Sequence, residues 1–367
     1  MMILAGIIII FTISQMIVAF VNLVSETSLP DTRSSLPDNV SPTVSILIPV
    51  RNEEKNIANI LDDLISRDFQ NIEIILFNDQ SEDTSAAIIQ EYRKRDKRIH
   101  LLHSEGLPEG WLGKNYACHS LSKHAKGDYL LFLDADVRIG GNAPGKALSY
   151  ALKHDLSLIS VFPRQIIITA GERITVPNMN YILVSLLPLI LVRKSKYPSL
   201  AAANGQFMFF RAADYHLHEP HKLMRNHKVE DILIARYLKK TGLKISCLLG
   251  DDDISCRMYN GFHEATEGFS KNVLEFFGNS FFLSLLFWLT TSFGFLIVFF
   301  YLPLPVFVFY LAAYILTRVF ISAASRQNIL FNLLMIIPLQ ISLGIFIYKA
   351  LINKFFRKYQ WKGRSIS

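Results

Sequence analysis

Between residues 44 and 254, short apolar stretches alternate with longer segments in which apolar and polar positions mix at helical spacing. The short stretches are typical of buried strands, and the mixed segments are typical of helices that cover a sheet. The predicted strands are Val44 to Ile48, Ile72 to Phe77, Ile99 to His103, Asp128 to Leu133, Leu156 to Phe162 and Leu243 to Leu249. The predicted helices are about Glu53 to Ser66, Thr84 to Arg95, Asn115 to Ala125 and Val229 to Lys240. This alternation predicts an α/β fold with a mostly parallel sheet flanked by helices.

Uncharged apolar runs lie on both sides of this region. Met2 to Val24 is long enough to cross a bilayer. It has neither a preceding basic region nor a following cleavage pattern, so we expect an uncleaved anchor rather than a signal peptide. Phe276 to Thr317 is about twice as long as one crossing requires. Pro303 and Pro305 near its middle predict a helical hairpin.

A third uncharged run, Asn328 to Tyr348, contains Pro338 and precedes a basic tail. The tail cations are Lys349, Lys354, Arg357, Lys358, Lys362 and Arg364. Cations directly after an apolar segment meet anionic lipid headgroups. We therefore attribute the net charge of +7 to membrane contact and expect no nucleic-acid partner. A single apolar run also fits a buried core helix, but three runs favour a membrane protein.

Composition agrees with this organisation, because 367 residues with 51% hydrophobic content can form one large soluble core and still supply membrane segments. Cys118, Cys247 and Cys256 follow no pattern, so we expect neither a disulfide framework nor a zinc site. The predicted parts are a transmembrane anchor at 1–25, a linker at 26–43, a catalytic domain at 44–272, transmembrane or interfacial helices at 273–352 and a basic cytoplasmic tail at 353–367.

Two carboxylates, Asp134 and Asp136, follow the strand that ends at Leu133. The carboxyl end of a parallel strand is where open α/β sheets bind ligands. Two carboxylates at this spacing can hold a divalent cation that bridges the diphosphate of a nucleotide. The alternative is an acidic strand end that caps a helix, and the motif alone leaves both interpretations open.

Polar residues also follow the first two predicted strands. Pro49, Arg51 and Glu53 come after the first strand, and Asp79 comes after the second. We expect them at the same sheet edge as Asp134. Asp79 could accept hydrogen bonds from a uracil ring or a ribose there, whereas capping of the following helix is the structural alternative.

Two glycine-containing motifs add candidate contacts. Trp111 to Asn115 places Lys114 near a helix N-terminus, where phosphate oxygens bind. Asn204-Gly205-Gln206 interrupts apolar sequence, as expected where the backbone approaches another group closely. A solvated lysine and an ordinary tight turn are the respective alternatives.

Glu230 and Asp231 begin a predicted helix, where carboxylates gain from the helix dipole. The functional interpretation is a general base that takes a proton from an acceptor. Four nearby histidines have no metal-binding spacing, which favours a polar loop; they are His216, His218, His221 and His227.

In their order along the chain, these motifs resemble those of the family 2 glycosyltransferases with the GT-A fold. The resemblance spans about Val44 to Ile254. It implies that Asp136 binds Mg²⁺ or Mn²⁺ together with the diphosphate, with Asp134 supporting the metal and the sugar nucleotide. It also implies that Asp231 is the catalytic base, with Glu230 beside it. The other residues expected at the nucleotide-sugar site are Pro49, Arg51, Glu53, Asp79, Lys114, Gly205 and Gln206.

Further motifs resemble the subgroup of the 4,4'-diaponeurosporenoate and hopanoid-associated glycosyltransferases. They are Trp111 to Lys114, Arg257-Met258-Tyr259, Glu267 to Asn272 and Trp361 to Arg364. This similarity covers nearly the whole chain and implies that Arg257, Trp361 and Arg364 join the nucleotide-sugar site. The Gln-x-x-Arg-Trp signature of processive polysaccharide synthases is absent from the sequence.

The resemblance predicts inverting transfer of a hexose from a nucleotide sugar, with a UDP-sugar as the expected donor. The expected acceptor is a hydrophobic lipid such as a carotenoid acid or a hopanoid, with a polyprenyl phosphate or a glycerolipid as the alternative. A membrane scaffold with a degenerate transferase domain is the alternative from another class. The intact carboxylates of Asp79, Asp134, Asp136 and Asp231 argue against such a scaffold.

A cytosolic sugar-nucleotide donor has a consequence for topology. We expect a multi-pass protein of the cell membrane whose catalytic domain faces the cytoplasm. The predicted hairpin then returns the chain to the inside at Arg318. A full crossing by Asn328 to Tyr348 would place the tail cations outside, against the positive-inside rule. We therefore predict that this run is broken at Pro338 and is re-entrant or interfacial.

Overall fold

In the computed structural model, the chain folds into two compact units. The first contains Met1–Thr27, Gln165–Pro188 and Arg257–Ser367, and the second contains Ser28–Arg164 and Leu189–Cys256. The structure describes residues 1–30, 42–66 and 71–356, with the backbone of 360–361 and 364–365, and it describes side chains up to residue 354. Most of the predicted linker and the side chains of Trp361 and Arg364 therefore lie outside the described part.

The bounds of the strands and helices are as follows. The strands are β1 Val44–Val50, β2 Ile72–Asn78, β3 Ile99–His103, β4 Tyr129–Leu133, β5 Val137–Ile139, β6 Leu158–Phe162, β7 Arg164–Gln165, β8 Phe207–Arg211, β9 Ile245–Leu249, β10 Ile254–Cys256, β11 Gln360–Trp361 and β12 Arg364–Ser365. The helices of the second unit are α2 Ile57–Ile65, α3 Ser85–Arg95, α4 Gly113–His124, α5 Ala143–His154, α8 Ile190–Lys194, α9 Ala212–His218, α10 Pro220–Leu223 and α11 Glu230–Lys240. Those of the first unit are α1 Met2–Val24, α6 Ala170–Arg173, α7 Pro177–Leu186, α12 Phe262–Asn272, α13 Phe281–Tyr301, α14 Leu304–Ala324, α15 Ile329–Leu334 and α16 Ile336–Phe356.

The second unit is built on a seven-stranded sheet in the order β3-β2-β1-β4-β8-β6-β9. All neighbouring pairs are parallel except those of β8, which runs antiparallel to both β4 and β6. Every residue of β4, β6 and β9 is buried. Burial of both faces requires cover by helices, which is why these strands are apolar apart from Ser160 and Ser246. The predicted mostly parallel sheet with flanking helices is confirmed.

Strand register brings the polar motifs to one edge of this sheet. Val50 at the end of β1 pairs with Asn78 at the end of β2. Phe132 of β4 pairs with Leu47, so the residues after β4 lie level with the end of β1. Because β8 is antiparallel, it begins where β4 ends, and the Asp134 N–H donates to the Gln206 carbonyl at 3.0 Å.

Among the described residues, four helices of the first unit are long and apolar enough to cross a membrane. They are α1, α13, α14 and residues Ile336–Lys354 of α16. The predicted hairpin is present, because α13 ends at Tyr301 and α14 begins at Leu304. Pro303 is the N-cap of α14. Prolines are tolerated at a helix start, where an N–H has no intrahelical partner.

The predicted break at Pro338 is wrong. Pro338 lies in the first turn of α16, which continues for 21 residues from Ile336. Proline costs no hydrogen bond in the first turn of a helix. The interruption instead falls at Met335, between α15 and α16.

The compact units also differ from the predicted domain at 44–272, because α7 and α12 belong with the terminal helices. Asn22 of α1 donates from Nδ2 to the carbonyls of Val184 and Leu187 near the end of α7, each at 2.9 Å. Asn178 of α7 donates to Ser342 Oγ of α16 at 2.8 Å. A helix end buried among apolar helices needs such partners for its last carbonyls.

Candidate active site

The ammonium group of Lys114 joins two of the predicted motifs. Lys114 lies in the first turn of α4, and its Nζ donates to Asp134 Oδ2 at 2.7 Å and to the Gly205 carbonyl at 3.2 Å. A Cβ atom on Gly205 would lie 3.1 Å from Lys114 Nζ and 3.3 Å from Glu230 Oε1. A side chain at position 205 would therefore crowd the ammonium group and the Glu230 carboxylate, which glycine lets approach.

The turn that contains Gly205 is fixed by hydrogen bonds on both sides. Ser160 Oγ accepts from the Asn204 N–H at 2.7 Å and donates to the Asn204 carbonyl at 3.0 Å. Asn204 Oδ1 accepts from the Gln206 N–H at 2.8 Å, and Asp231 Oδ2 accepts from the Gly205 N–H at 2.9 Å. The turn thus connects the end of β4 with the start of α11.

Glu230 and Asp231 occupy the first two positions of α11, as the sequence predicts. Asp231 Oδ1 accepts from the Ile232 N–H at 2.8 Å, one of the donors that a helix start leaves without an intrahelical partner. Glu230 is buried, whereas Asp231 is partly exposed. Of the two carboxylates, Asp231 is the more accessible to a substrate.

The pKa values of Glu230 and Asp231 are both raised, chiefly by burial. Burial raises the pKa of Glu230, and the charge of Asp231 adds to that shift against the opposing effect of Lys114. Burial also raises the pKa of Asp231, although Lys114 and two backbone N–H groups oppose it. For Lys114, burial acts to lower the pKa, but the charges of Asp134 and Glu230 outweigh it and raise the pKa. A carboxylate with a raised pKa, beside a permanent cation, is suited to accept a proton near neutral pH.

Asp136 lies beside Gln206 at the same sheet edge. Gln206 Nε2 is 3.4 Å from each Asp136 carboxylate oxygen and 3.1 Å from Cys256 Sγ of β10. The Gln206 Oε1 atom is buried without a hydrogen-bond partner. Burial raises the pKa of Cys256, so the thiol stays neutral. The Asp136 contacts are long, whereas Asp134 holds the Lys114 ammonium at ordinary salt-bridge distance.

The donor atoms fit a divalent metal that takes most of its ligands from a bound diphosphate. The described residues contain no group of three or more His, Cys, Asp or Glu side chains that could hold a metal ion. Mg²⁺ is commonly bound by one or two carboxylates together with phosphates and waters. Asp136 can supply such a carboxylate, and the buried Gln206 Oε1 offers a further oxygen.

The ends of β1 and β2 form the part of the site predicted to hold the nucleoside. Asp79 is buried, and its N–H donates to the Val50 carbonyl at 2.8 Å. Arg51 Nη1 donates to the Asp79 carbonyl at 2.7 Å, which fixes the loop after β2.

The two other residues predicted near the end of β1 also have structural contacts. Glu53 Oε2 accepts from Asn56 Nδ2 at 2.9 Å, and Pro49 lies in β1 opposite Phe77. Arg51 and Glu53 therefore have structural partners of their own, and their contact with a donor stays a prediction.

Arg257 belongs to the first unit, where it pairs with a buried acid. Its Nη2 donates to Glu172 Oε1 at 2.9 Å, and Glu172 is fully buried. Glu172 also accepts from the N–H groups of Ile168 and Gly261. Arg257 thus has a structural partner, and its predicted contact with the donor stays a prediction.

Two residues that organise the site were missed by sequence reasoning. Asn115 is buried, and its Nδ2 donates to the carbonyls of Met224 and His227 at 2.8 and 3.0 Å, which positions the segment before α11. Ser160 anchors the turn at Asn204. The sequence offered one indication for Asn115, which is its position directly after Lys114 in the first turn of α4.

The prediction of a polar loop around the histidines is wrong for three of the four. His216 and His218 lie on α9, and His221 lies on α10. His221 is buried beside the ring of Phe132, and burial lowers its pKa to about 3. Neutral imidazole packs there because aromatic side chains surround it.

Known proteins share parts of this sequence and this fold. The family described as Glycosyl transferase family 2 matches residues 45–217. Residues 45–217 thus match glycosyltransferase family 2. In sequence, the chain is 28% identical over 234 residues to 4,4'-diaponeurosporenoate glycosyltransferase of Staphylococcus haemolyticus, covering 63% of this chain and 61% of that protein. The protein of the same name from Staphylococcus aureus is 26% identical over 240 residues, covering 63% of this chain and 60% of that protein.

The aligned part of the chain therefore spans about three-fifths of the length of these relatives. In structure, the chain resembles a mannosyltransferase of Pyrobaculum calidifontis that was solved with GDP-Man and Mn²⁺. The TM-score is 0.56 at 14% identity, with 97% of this chain and 100% of that chain covered. This likeness concerns the fold, and the fold is GT-A.

Proposed function

We propose that this protein transfers a hexose from a nucleotide sugar to a hydrophobic lipid acceptor, with inversion at the anomeric carbon. The observation that carries the proposal is the hydrogen-bonded group formed by Lys114, Asp134, Gly205 and Asp231. It sets a cation and a partly exposed carboxylate at the sheet edge where α/β folds bind ligands. The four apolar helices supply an environment for a lipid substrate.

Donor binding is assigned to the β-strand ends, with UDP-sugar as the proposed donor. Asp79 would hold the nucleoside, and Lys114 at the start of α4 would face phosphate oxygens. Mg²⁺ or Mn²⁺ held by Asp136, and supported by Asp134, would neutralise the charge that develops on the leaving diphosphate. The mannosyltransferase solved with GDP-Man and Mn²⁺ supports a metal-bound nucleotide sugar here, whereas the choice of UDP rests on the sequence resemblance.

The proposed base is Asp231. Its carboxylate would take the proton from the acceptor hydroxyl or carboxylic acid as that oxygen attacks the anomeric carbon and the bond to the diphosphate breaks. Its greater exposure favours it over Glu230, whose burial suits a role in setting the charge of the cluster. Attack opposite the leaving group gives inversion.

The relatives named for a carotenoid acid support an acidic lipid as the acceptor. A carotenoid acid or a hopanoid is therefore proposed first, with a polyprenyl phosphate or a glycerolipid as the alternative. The proposed location is the cell membrane, with several crossings and the catalytic domain on the cytoplasmic side. The intact carboxylates at the sheet edge argue against a scaffold without activity.

A donor-consumption assay tests the proposal. Purified full-length protein is incubated with UDP-glucose, UDP-galactose or GDP-mannose, Mg²⁺ or Mn²⁺, and a membrane lipid extract. We expect release of the nucleoside diphosphate together with a glycosylated lipid detected by mass spectrometry. The control is Asp155→Asn, a surface variant that should match wild type, because Asp155 pairs with Arg211 on an exposed face. Donor consumption no faster than in buffer, with every donor and metal, would support the scaffold instead.

A further inference from the structure

Arg318 of α14 is a cation buried among the apolar helices of the first unit. Its side chain is 4% exposed. Its guanidinium carbon lies 3.6 Å from the centroid of the Tyr181 ring, and Nη2 donates to the Tyr314 hydroxyl at 3.3 Å. Its Nε is buried without a hydrogen-bond partner. Within the part of the chain that has described side chains, no carboxylate pairs with Arg318.

The position of Arg318 along the helices places it within one leaflet. It lies six residues before the end of α14 at Ala324. The Tyr181 ring also contacts Phe287, which lies six residues after the start of α13. At the α-helical rise, both positions are about 9 Å from their helix ends. Measured from the end of α14 or from the start of α13, the guanidinium group therefore lies at the same depth in the helix bundle.

The arginine is held in place by its surroundings. Asn22 and Asn178 fix α7, which carries Tyr181, to α1 and α16. Gln15 of α1 also donates to Ser185 Oγ of α7 at 3.1 Å. The guanidinium is therefore stacked on a ring whose own helix is anchored on two sides. Little side-chain freedom is left to lose on binding a ligand, which favours affinity.

A buried cation without an anion is costly, and intramembrane ionisable residues commonly mark binding sites or pathways. The face of a tyrosine ring and one hydroxyl offset that cost only in part. The planar guanidinium fork matches the oxygens of a carboxylate or a phosphate. We infer that Arg318, stacked on Tyr181 and bonded to Tyr314, binds the anionic headgroup of a membrane lipid. This site does not depend on the proposed sugar transfer.

Lipid binding to the full-length protein tests the inference without any sugar donor. The probes are oleic acid, methyl oleate and phosphatidylglycerol, added at alkaline pH to protein in phosphatidylcholine nanodiscs. At alkaline pH oleic acid is an anion, whereas its methyl ester is uncharged and larger by one methyl group. Phosphatidylglycerol separates a phosphate site from a carboxylate site. We expect at least one of the two anions to bind tenfold or more tightly than the ester. Arg318→Gln should abolish that preference, and Arg326→Gln, at an exposed arginine, should retain it.

Equal binding of all three probes by wild type, or an undiminished preference in Arg318→Gln, would overturn the inference. If Arg318→Gln does not fold, Arg318→Lys decides the question. This variant keeps the charge and loses the fork, so an anion should still bind more tightly than the ester, with a smaller ratio than in wild type. A folded Arg318→Lys protein with no preference for an anion would contradict an anion site there.

Discussion

Lys349 of α16 pairs with Glu267 of α12, with Nζ 2.6 Å from Oε1. Three further contacts show how α16 runs beside α13. Gln340 accepts from Ser292, a Cβ atom on Gly344 would lie 2.7 Å from the Trp288 ring, and Lys354 reaches Asn279 just before α13. Residue numbers thus increase along α16 while those of the partners decrease. Helices α13 and α16 are therefore antiparallel, and α16 ends beside the start of α13.

This arrangement supports a re-entrant path although α16 is uninterrupted. The hairpin of α13 and α14 brings the end of α14 back to the side on which α13 starts. If α16 also ends on that side, the chain enters the membrane after α14, through α15 and the start of α16. It then returns along α16 to the side from which it entered. The basic tail would then lie on the side of α12, as the positive-inside rule requires.

Cysteine labelling in intact cells checks this topology. Ser367→Cys should react with a membrane-impermeant maleimide only after permeabilisation, like Lys55→Cys at an exposed position of the catalytic domain. Leu304→Cys, at the exposed turn of the hairpin, should react in intact cells. The three native cysteines are buried, so background should be low. Labelling of Ser367→Cys from outside would mean that α16 crosses the membrane completely.

The metal assignment predicts a specific defect when Asp136, the second aspartate after β4, is changed. Asp136→Asn should remove the dependence of donor binding on Mg²⁺ or Mn²⁺ and abolish transfer, because a neutral amide is a poor ligand for a hard dication. Titration of UDP with and without the metal measures this. Asp155→Asn should retain full metal dependence. Wild-type transfer in the presence of EDTA, or an unchanged metal response in Asp136→Asn, would refute the assignment.

The charge of Lys114 should set the pH range of activity. Burial raises the pKa of Glu230 and of Asp231, and Lys114 opposes both shifts. Removal of this cation in Lys114→Met should raise both pKa values further, so that the deprotonated base is available only at higher pH. The acid limb of the kcat/KM profile should therefore move to higher pH. Lys114→Arg keeps the charge and should leave the limb near its wild-type position, and an unmoved limb in Lys114→Met would contradict the coupling.

Glu172 should contribute to stability in a pH-dependent way. Burial opposes its ionisation, but Arg257 and backbone N–H groups lower the pKa of Glu172 to about 2. A pKa below that of the unfolded chain stabilises the fold above the unfolded pKa, and this stabilisation is lost as the pH falls towards 2. Glu172→Gln should reduce the free energy of unfolding by about 1.5–3 kcal/mol at neutral pH, the value of a hydrogen bond to a charged group.

Thermal unfolding in detergent at neutral and acidic pH measures this effect. The difference in Tm between wild type and Glu172→Gln should shrink as the pH is lowered. Glu264→Gln, at an exposed glutamate, is the matched control and should shift Tm little. A difference in Tm that stays constant from pH 7 to pH 3 would mean that the charge of Glu172 does not stabilise the fold.

The sheet and most of the site could be predicted from sequence because both depend on local signals. Apolar runs fixed the strands, and polar residues directly after Leu133 and Phe77 had to meet at one edge once those strands were parallel. The turn at Gly205 reaches that edge only because β8 is antiparallel, and no local pattern distinguishes an antiparallel strand buried between two others. The contacts of Asn115 and Ser160 join segments far apart in sequence, so spacing could not predict them.

In the membrane region, too, contacts between distant segments could not be predicted from local sequence. Pro338 is a helix breaker by propensity, yet it stands in a first turn, where proline costs nothing. Helix α7 lies inside the predicted catalytic domain at 44–272. Its place in the first unit depends on Asn22 and Asn178, whose partners lie more than a hundred residues away. Tertiary hydrogen bonds, rather than hydropathy, decide which unit it joins.

The central claim is that Asp231 acts as the base of a sugar transfer, and comparison of donor affinity with turnover tests it most directly. For Asp231→Asn, the affinity for the nucleotide sugar should stay near wild type, while kcat for transfer should fall by a factor on the order of 10² to 10⁴, the usual contribution of a positioned base. Glu230→Gln should retain much more of the turnover. The opposite pattern, with Glu230→Gln inactive and Asp231→Asn active, would contradict the account.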